Sequence, residues 1–102
     1  MRGSTNATAP LKKTISYLTV NGCTITKIVQ GNTVSYSMQN QSPTDTADHI
    51  IDTTVSLPFG LAPIITGGNV LVGYIFIDAD RHPVMRTQLA LDVGFVATYQ
   101  LT

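Results

Sequence analysis

The chain lacks, or nearly lacks, several residue types, and each shortage excludes a class of protein. Its 102 residues include no Glu, no Trp, one Cys and three Lys, and charged residues make up 12%, against roughly 25% in an ordinary soluble domain. The scarcity of Glu and Lys argues against a helical bundle, because these straight-chain residues favour helix. A single Cys cannot close an internal disulfide. The formal net charge of +0 leaves no basic surface for nucleic acid, and no hydrophobic run approaches the roughly 20 residues of a membrane span.

The residues that are abundant favour β-structure. Val, Ile and Thr number nine, nine and fifteen, and β-branched residues are typical of strands. Apolar and polar residues alternate along 13–20, 23–29 and 33–39, and the Asn21-Gly22 step between the first two is a strong hairpin signal. These segments predict a three-stranded meander. Further strands are predicted at 50–57, 64–66, 69–78, 84–92 and 95–101, with a turn at Val93-Gly94.

Together the strands predict an all-β domain over 13–102, a small antiparallel β-barrel or sandwich of jelly-roll or Greek-key type with seven to eight short strands. The polar loop 40–49 is the expected crossover. The apolar segment 57–63 contains two prolines and a glycine, which bar a regular central strand. The nearly continuous apolar strand at 69–78 is expected to be buried on both faces or against a neighbour. Residues 1–12 are predicted to be a leader, either the start of an expression-vector tag or the remnant of a preceding neck domain.

No combination of residues singles out an enzyme. Cys23 begins a strand directly after a turn, and it is best interpreted as a small buried hydrophobe rather than a nucleophile. The polar loop carries four metal-ligand types, but these more simply cap turns and keep the loop soluble: Asp45, Asp48, His49 and Asp52. We therefore predict a protein that is not an enzyme and needs no metal and no cofactor.

The most informative segment is 74–86, where a long apolar strand ends in a polar hairpin. Tyr74 and Phe76 lead into the hairpin, which carries Asp78, Asp80, Arg81, His82 and, on the next strand, Arg86. Carboxylates accept hydrogen bonds from sugar hydroxyls, while Arg binds phosphate through two parallel bonds. This chemistry indicates recognition of a saccharide or a glycerophosphate. The alternative is that a polar turn only solvates the hairpin end, with Asp80 and Arg81 as a weak surface pair.

Several short motifs resemble the head domain of the receptor-binding proteins of lactococcal siphophages, and the similarity spans roughly residues 18–102. The motifs are the turn and strand Gly31–Ser37, Pro58-Phe59 with Ala62-Pro63, Val72-Gly73 leading into Ile75–Asp78, and the closing Ala97–Thr102. The resemblance implies a homotrimer at the tip of the tail baseplate of a virion. It also implies contacts with other baseplate proteins through a missing N-terminal part, and adhesion to phosphate-containing saccharides on the Gram-positive host cell wall.

The resemblance also implies a binding site. Asp78 matches the family's aspartate, Phe76 stands where the family has His, and Arg86 or Arg81 substitutes for the family's Arg. No aromatic residue lies at 84–86, near the position of the family's Trp, so an altered ligand preference is implied. With the hairpin chemistry added, the predicted saccharide-binding residues are Phe76, Asp78, Arg81, His82 and Arg86.

Two functions remain open, with a weaker third. The first is a trimeric adhesion head, held together through the apolar segment 57–65, whose weak single sites act together by multivalency. The second is a structural β-sandwich subunit of a virion, such as a capsid, decoration or fibre-tip module, without a ligand. The third is a depolymerase-like enzyme. None of them involves nucleic acid or membrane insertion.

Overall fold

The computed structural model describes residues 12–101, which form one eight-stranded antiparallel sheet without a helix. This confirms the predicted all-β architecture, whereas residues 1–11 of the predicted leader lie outside the described residues. The strand order is β1-β2-β3-β8-β5-β6-β7-β4. The strands are β1 (Lys13–Val20), β2 (Cys23–Gln30), β3 (Thr33–Gln41), β4 (His49–Ile50), β5 (Leu61–Thr66), β6 (Leu71–Ile77), β7 (Pro83–Thr87) and β8 (Val93–Gln100).

The first meander, β1–β2–β3, follows the sequence prediction closely. Asn21 has a φ of 54° and Gly22 a φ of 77°, the positive values that a two-residue hairpin turn requires. Val20 therefore pairs with Cys23 across the turn, and the register continues without interruption to Lys13. The period of two holds in β3, because Val34 and Tyr36 are buried while Ser35 between them is partly exposed.

The second meander, β5–β6–β7, lies on the other side of β8, which pairs with both β3 and β5. Between the two meanders the chain crosses from β3 to the far edge of the sheet, where β4 pairs with β7. The predicted crossover at 40–49 is therefore confirmed. The strand order is not that of a simple meander, and the sheet curls into a nearly closed barrel.

The predicted strand at 50–57 is wrong beyond its first residue. Only His49 and Ile50 pair with β7. The Asp52 carboxylate then accepts hydrogen bonds from the Thr54 amide at 3.0 Å and from the Thr54 hydroxyl at 2.6 Å. Such a local side-chain bond bends the backbone away from a sheet ladder. The rest of the segment is an irregular loop.

The expectation that prolines bar a central strand at 57–63 is also wrong, because β5 includes Pro63 and lies between β6 and β8. Pro63 lies opposite Tyr74 of β6, whereas β5 pairs with β8 only at Ile65 and Thr66. Proline has no backbone N–H to donate to a neighbouring strand, so Pro63 is tolerated because the β5–β8 ladder does not extend to it. The strand predicted at 64–66 thus begins earlier, at Leu61.

Two corrections concern the C-terminal strands. The strand predicted at 84–92 ends at Thr87, whose hydroxyl donates to the carbonyl oxygen of Leu89 at 2.7 Å and turns the chain. The predicted turn at Val93-Gly94 is instead the start of β8. Gly94 lies against β3, where an added Cβ would be 2.7 Å from the Met38 carbonyl oxygen. Glycine is needed there for close strand packing rather than for a turn.

Asp52 is 6% exposed and lies against side chains of the first meander. Its Oδ2 lies 2.6 Å from Lys27 Nζ of β2 and accepts a 2.7 Å hydrogen bond from the Tyr36 hydroxyl of β3. Burial raises the pKa of Asp52, but hydrogen bonds from Lys27, Thr54 and Tyr36 outweigh it and lower the pKa to about 2. Asp52 therefore links the first meander to the segment that follows β4.

The outer face of β6 is open, contrary to the expectation for 69–78. Ile75 and Ile77 are buried, but Leu71 and Tyr74 are exposed. Alternation along the strand places Tyr74 on the outside of the barrel, opposite Pro63 of β5 and Arg86 of β7. This apolar strand thus contributes side chains to the core on one face and to the exposed surface on the other.

Candidate functional site

The outer surface of the second meander carries several exposed apolar side chains, and Val96 of β8 adds another. Leu61 is 70% exposed and Val96 72% exposed. Leu61 lies opposite Phe76 and Pro63 lies opposite Tyr74, so these four side chains share one face. We call this surface the apolar face, and its members are Leu61, Pro63, Tyr74, Phe76 and Val96.

Arg86 lies across the apolar face and is held from two sides. Its Cζ is 4.7 Å from the centre of the Phe76 ring, within the range of a cation–π contact. Its Nε and Nη2 donate to the two carboxylate oxygens of Asp48, at 2.9 and 2.7 Å. This two-bond pairing fixes the plane of the guanidinium group. The hydrogen bonds raise the pKa of Arg86 and lower the pKa of Asp48, so the two charges balance.

A groove of about 320 Å³ runs beside Arg86. We call it the Tyr74 groove; its lining residues are Leu71, Val72, Gly73, Tyr74, Arg86 and Gln88. Gly73 brings β6 and β7 together, because an added Cβ would collide with the Arg86 carbonyl oxygen. The groove therefore combines an exposed aromatic ring, an oriented guanidinium group and an amide side chain.

The turn between β6 and β7 has its own organisation. Asp78 Oδ1 accepts hydrogen bonds from the backbone amides of Asp80 and His82, both at 2.9 Å. Arg81 adopts a φ of 66°, and its Cζ lies 4.1 Å from the centre of the Phe59 ring. Its Nη1 also donates to the Leu57 carbonyl oxygen at 3.4 Å. Asp78 therefore shapes the turn, and Arg81 packs the turn onto the neighbouring loop.

The ligand atoms of Asp78, Asp80 and His82 lie within 4.8 Å of one another, so these residues could approach one metal ion. The two backbone hydrogen bonds to Asp78 already explain its position as a turn-forming residue. The four metal-ligand types of the polar loop do not form one site. Asp45 accepts from Ala47 and contacts His49, Asp48 binds Arg86, and Asp52 binds Lys27.

The five predicted site residues thus fall into two groups. Phe76 and Arg86 meet on the outer face, whereas Asp78, Arg81 and His82 belong to the turn beyond it. The sequence prediction missed Asp48 and Gln88. Gln88 follows Arg86 by two residues, a spacing that could have identified it. Asp48 lies in an irregular loop 38 residues from Arg86, and no local pattern points to that contact.

Cys23 is 1% exposed, and burial raises the pKa of its thiol. A buried thiol with a raised pKa is a poor nucleophile, which confirms that Cys23 acts as a small core hydrophobe.

Residues 12–101 include no helix that could cross a membrane. No protein-family model, no curated protein and no solved structure matches this chain. The function must accordingly be inferred from the geometry of the apolar face and the Tyr74 groove.

Proposed function

We propose that the protein is a phage adhesion head that binds saccharides on the surface of a Gram-positive host through the Tyr74 groove. The observation that supports this most is the pairing of Tyr74 with Arg86 on the outside of the sheet, next to Gln88. An aromatic ring packs against the C–H faces of a sugar, while guanidinium and amide groups bond its hydroxyls. The activity is binding, so it requires neither catalysis nor a cofactor.

The groove is suited to binding because its polar groups are already oriented. Asp48 and Phe76 hold the Arg86 guanidinium group on two sides, so little side-chain freedom is left to lose when a ligand binds. A single site of this size and exposure binds weakly, in about the millimolar range. Several copies acting together would convert weak sites into firm attachment.

The phosphate-containing part of the proposed ligand depends on Arg81. Asp48 balances the charge of Arg86, whereas the described contacts of Arg81 are with the Phe59 ring and the Leu57 carbonyl oxygen rather than with a carboxylate. We expect the sugar ring in the Tyr74 groove and a phosphate group towards the turn. Asp78 and His82 would then help to position Arg81 through the turn rather than contact the sugar.

The proposed assembly is a homotrimer at the tip of a tail baseplate, attached to other baseplate proteins through a preceding segment. The predicted interface segment 57–65 contributes only in part, because Leu57 and Ile64 are fully buried in the core. Its exposed apolar side chains include Phe59, Leu61 and Pro63, and Phe59 adds to the apolar face on the side of the turn. Exposed apolar surface of this kind is typical of an association site.

The proposal is tested by titrating isotope-labelled protein with methyl glucoside, N-acetylglucosamine and glycerol phosphate at concentrations on the order of ten millimolar. We expect chemical-shift changes at Tyr74, Arg86 and Gln88, and their loss in Tyr74→Ala. Thr26→Ala, on the polar outer face of β2, is the matched control and should leave the response unchanged. A response at Arg81 to glycerol phosphate alone would locate the phosphate subsite. Wild-type spectra that do not change with any of the three compounds would contradict the proposal.

The second candidate is a structural virion subunit in which the apolar face is entirely covered by neighbouring subunits. The exposure of Leu61 and Val96 favours this candidate as much as it favours the trimeric head. The two differ in the effect of Tyr74→Ala on cell attachment, which should fall sharply for an adhesion head and remain unchanged for a structural subunit.

A further inference from the structure

The edge strand β1 is open along its whole length. All eight of its residues pair with β2 without a bulge, and no strand lies beyond β1 among residues 12–101. Ile15 is 50% exposed and Tyr17 69% exposed. Proteins commonly protect such an edge with charges, proline, a bulge or a very short strand. In β1 the only such feature is the charge of Lys13, at the first position of the strand.

The opposite edge of the sheet is protected. There β4 has only two residues, and Asp48 precedes it directly. A two-residue strand leaves too little backbone to template another chain. The open edge at β1 is therefore particular to this strand and is not a general property of the sheet.

The hairpin turn determines which backbone groups β1 presents outwards. In a two-residue hairpin the residues flanking the turn, Val20 and Cys23, exchange hydrogen bonds with each other. Alternate residues back along β1 do the same, because an antiparallel ladder alternates between bonded and non-bonded pairs. The amide and carbonyl groups that point away from β2 then belong to Lys13, Ile15, Tyr17 and Thr19.

We propose that β1 pairs antiparallel with β1 of a second copy of this chain, so that one sheet continues through both molecules. If the twofold axis passes through Ser16, the outward-facing amide and carbonyl groups of all four residues can hydrogen-bond to the second copy. It places Ile15 opposite Tyr17 of the second copy, a pairing of β-branched and aromatic side chains that stabilises sheets.

The charge pattern favours a second copy over a different partner. Lys13 is the only charged residue of β1, and in this register it lies opposite Thr19, so that like charges never meet. The formal net charge of +0 adds no long-range repulsion between copies. The contact is isologous and closes as a dimer. It does not involve the apolar face and does not depend on saccharide binding.

Disulfide formation tests the proposal directly. Ser16 would face Ser16 of the second copy as a non-bonded pair with a Cα separation of about 4.5 Å, which suits a disulfide. Thr14→Cys is the matched control. It is exposed on the same face of β1, but the two copies of residue 14 would be about 13 Å apart. The native Cys23 is buried and should not react.

In a glutathione redox buffer, we expect Ser16→Cys to form covalent dimers at least about tenfold faster than Thr14→Cys. Adding Tyr17→Pro should reduce cross-linking to the level of the control. This substitution removes an outward-facing amide and leaves the ladder with β2 intact. Far-UV circular dichroism confirms that each variant is folded.

Three results would overturn the proposal. Equal cross-linking of Ser16→Cys and Thr14→Cys would exclude the register. Cross-linking that appears only after removal of residues 1–11 would assign the edge to that segment of the same chain. Loss of cross-linking in a Leu61→Asp background would show that the copies meet through the apolar face instead.

Discussion

The two meanders have the same local topology but different outer faces. On the first meander, polar side chains of β2 and β3 line a shallow groove, and exposed apolar side chains are found at the edge strand β1, at Ile15 and Tyr17. The groove residues are Thr24, Thr26, Ser37, Gln39 and Gln41. On the second meander the equivalent positions carry the apolar face and Arg86. Both meanders bury a regular inner face, so the fold does not require this difference. An apolar outer face without a role in the core supports the proposed binding surface, and the polar groove of β2 and β3 is its internal control.

The largest expected effect concerns Asp52, which links the first meander to the segment after β4. Asp52→Ala removes the carboxylate that binds Lys27 and Tyr36, and leaves a cation in a partly buried position. Breaking a buried pair in this way costs about 3–5 kcal/mol. Urea denaturation should therefore show a large fall in the free energy of unfolding.

The pH dependence of stability provides an independent check on Asp52. Its pKa in the folded protein is about 2, below the ordinary value of 3.8. A lowered pKa stabilises the fold above the unfolded pKa, and that contribution is lost as the pH falls from about 4 to about 2. Asp52→Ala should flatten this acid limb of the stability curve. An unchanged acid limb would show that the Asp52 carboxylate does not link the first meander to the segment after β4.

The next effect concerns the close approach of β6 and β7 that forms the Tyr74 groove. In Gly73→Ala the new methyl group would collide with the Arg86 carbonyl oxygen and lie 2.8 Å from the Thr87 Cα. Overpacking against backbone costs about 1–3 kcal/mol. Gly60→Ala is the control, because nothing lies within 4 Å of its added Cβ. Thermal denaturation should show a clear loss for Gly73→Ala and almost none for Gly60→Ala.

A smaller effect separates two buried tyrosines whose ring centres are 6.4 Å apart. The Tyr36 hydroxyl donates to Asp52, whereas the Tyr99 hydroxyl has no hydrogen-bond partner within residues 12–101. Tyr36→Phe should therefore cost about 1–3 kcal/mol of unfolding free energy. Tyr99→Phe should be neutral or slightly stabilising in the same chemical denaturation experiment. Equal losses would mean that ring packing rather than the hydrogen bond sets the cost.

The smallest effect on stability should accompany the largest effect on association. Leu61→Asp places a charge on the apolar face at a 70% exposed position, so the unfolding free energy should change by no more than about 0.5 kcal/mol. Light scattering should nevertheless show loss of the proposed trimer and a mass no larger than that of the dimer proposed to form through β1. Ser37→Asp, in the polar groove, should leave the mass unchanged. A trimer that survives Leu61→Asp would exclude the apolar face as its interface.

The sequence predicted the first meander almost to the residue, because local signals determine it. The positive φ of Asn21 and Gly22 and the alternation of buried and exposed residues both follow from chain chemistry over a few positions. The strand predicted at 50–57 was wrong because Asp52 bonds locally to Thr54 and is also held by Tyr36 and Lys27, which lie 16 and 25 residues away in the sequence. The predicted turn at Val93-Gly94 was wrong because the local sequence looks the same whether glycine is needed for a turn or for close packing beside Met38.

The candidate site was predictable to a similar degree. The sequence analysis placed Phe76 and Arg86 at one hairpin, and the structure brings the Arg86 guanidinium group over the Phe76 ring. The orientation of Arg86 could not be predicted, since it depends on Asp48 from an irregular loop. Asp78 was interpreted from its charge, whereas its hydrogen bonds are to the backbone of its own turn. The residue types identified which polar groups are present, but not which of them already form hydrogen bonds within the protein.

The short ladder between β5 and β8 would govern how the molecule responds to mechanical load. Those strands share two residue pairs, Ile65 with Gly94 and Thr66 with Val93, whereas β8 and β3 pair along most of their length. A force that pulls the two meanders apart would meet the least resistance at this seam, where Pro63 ends the ladder. An adhesion head loaded through the Tyr74 groove would then yield between β5 and β8 while each meander stayed intact.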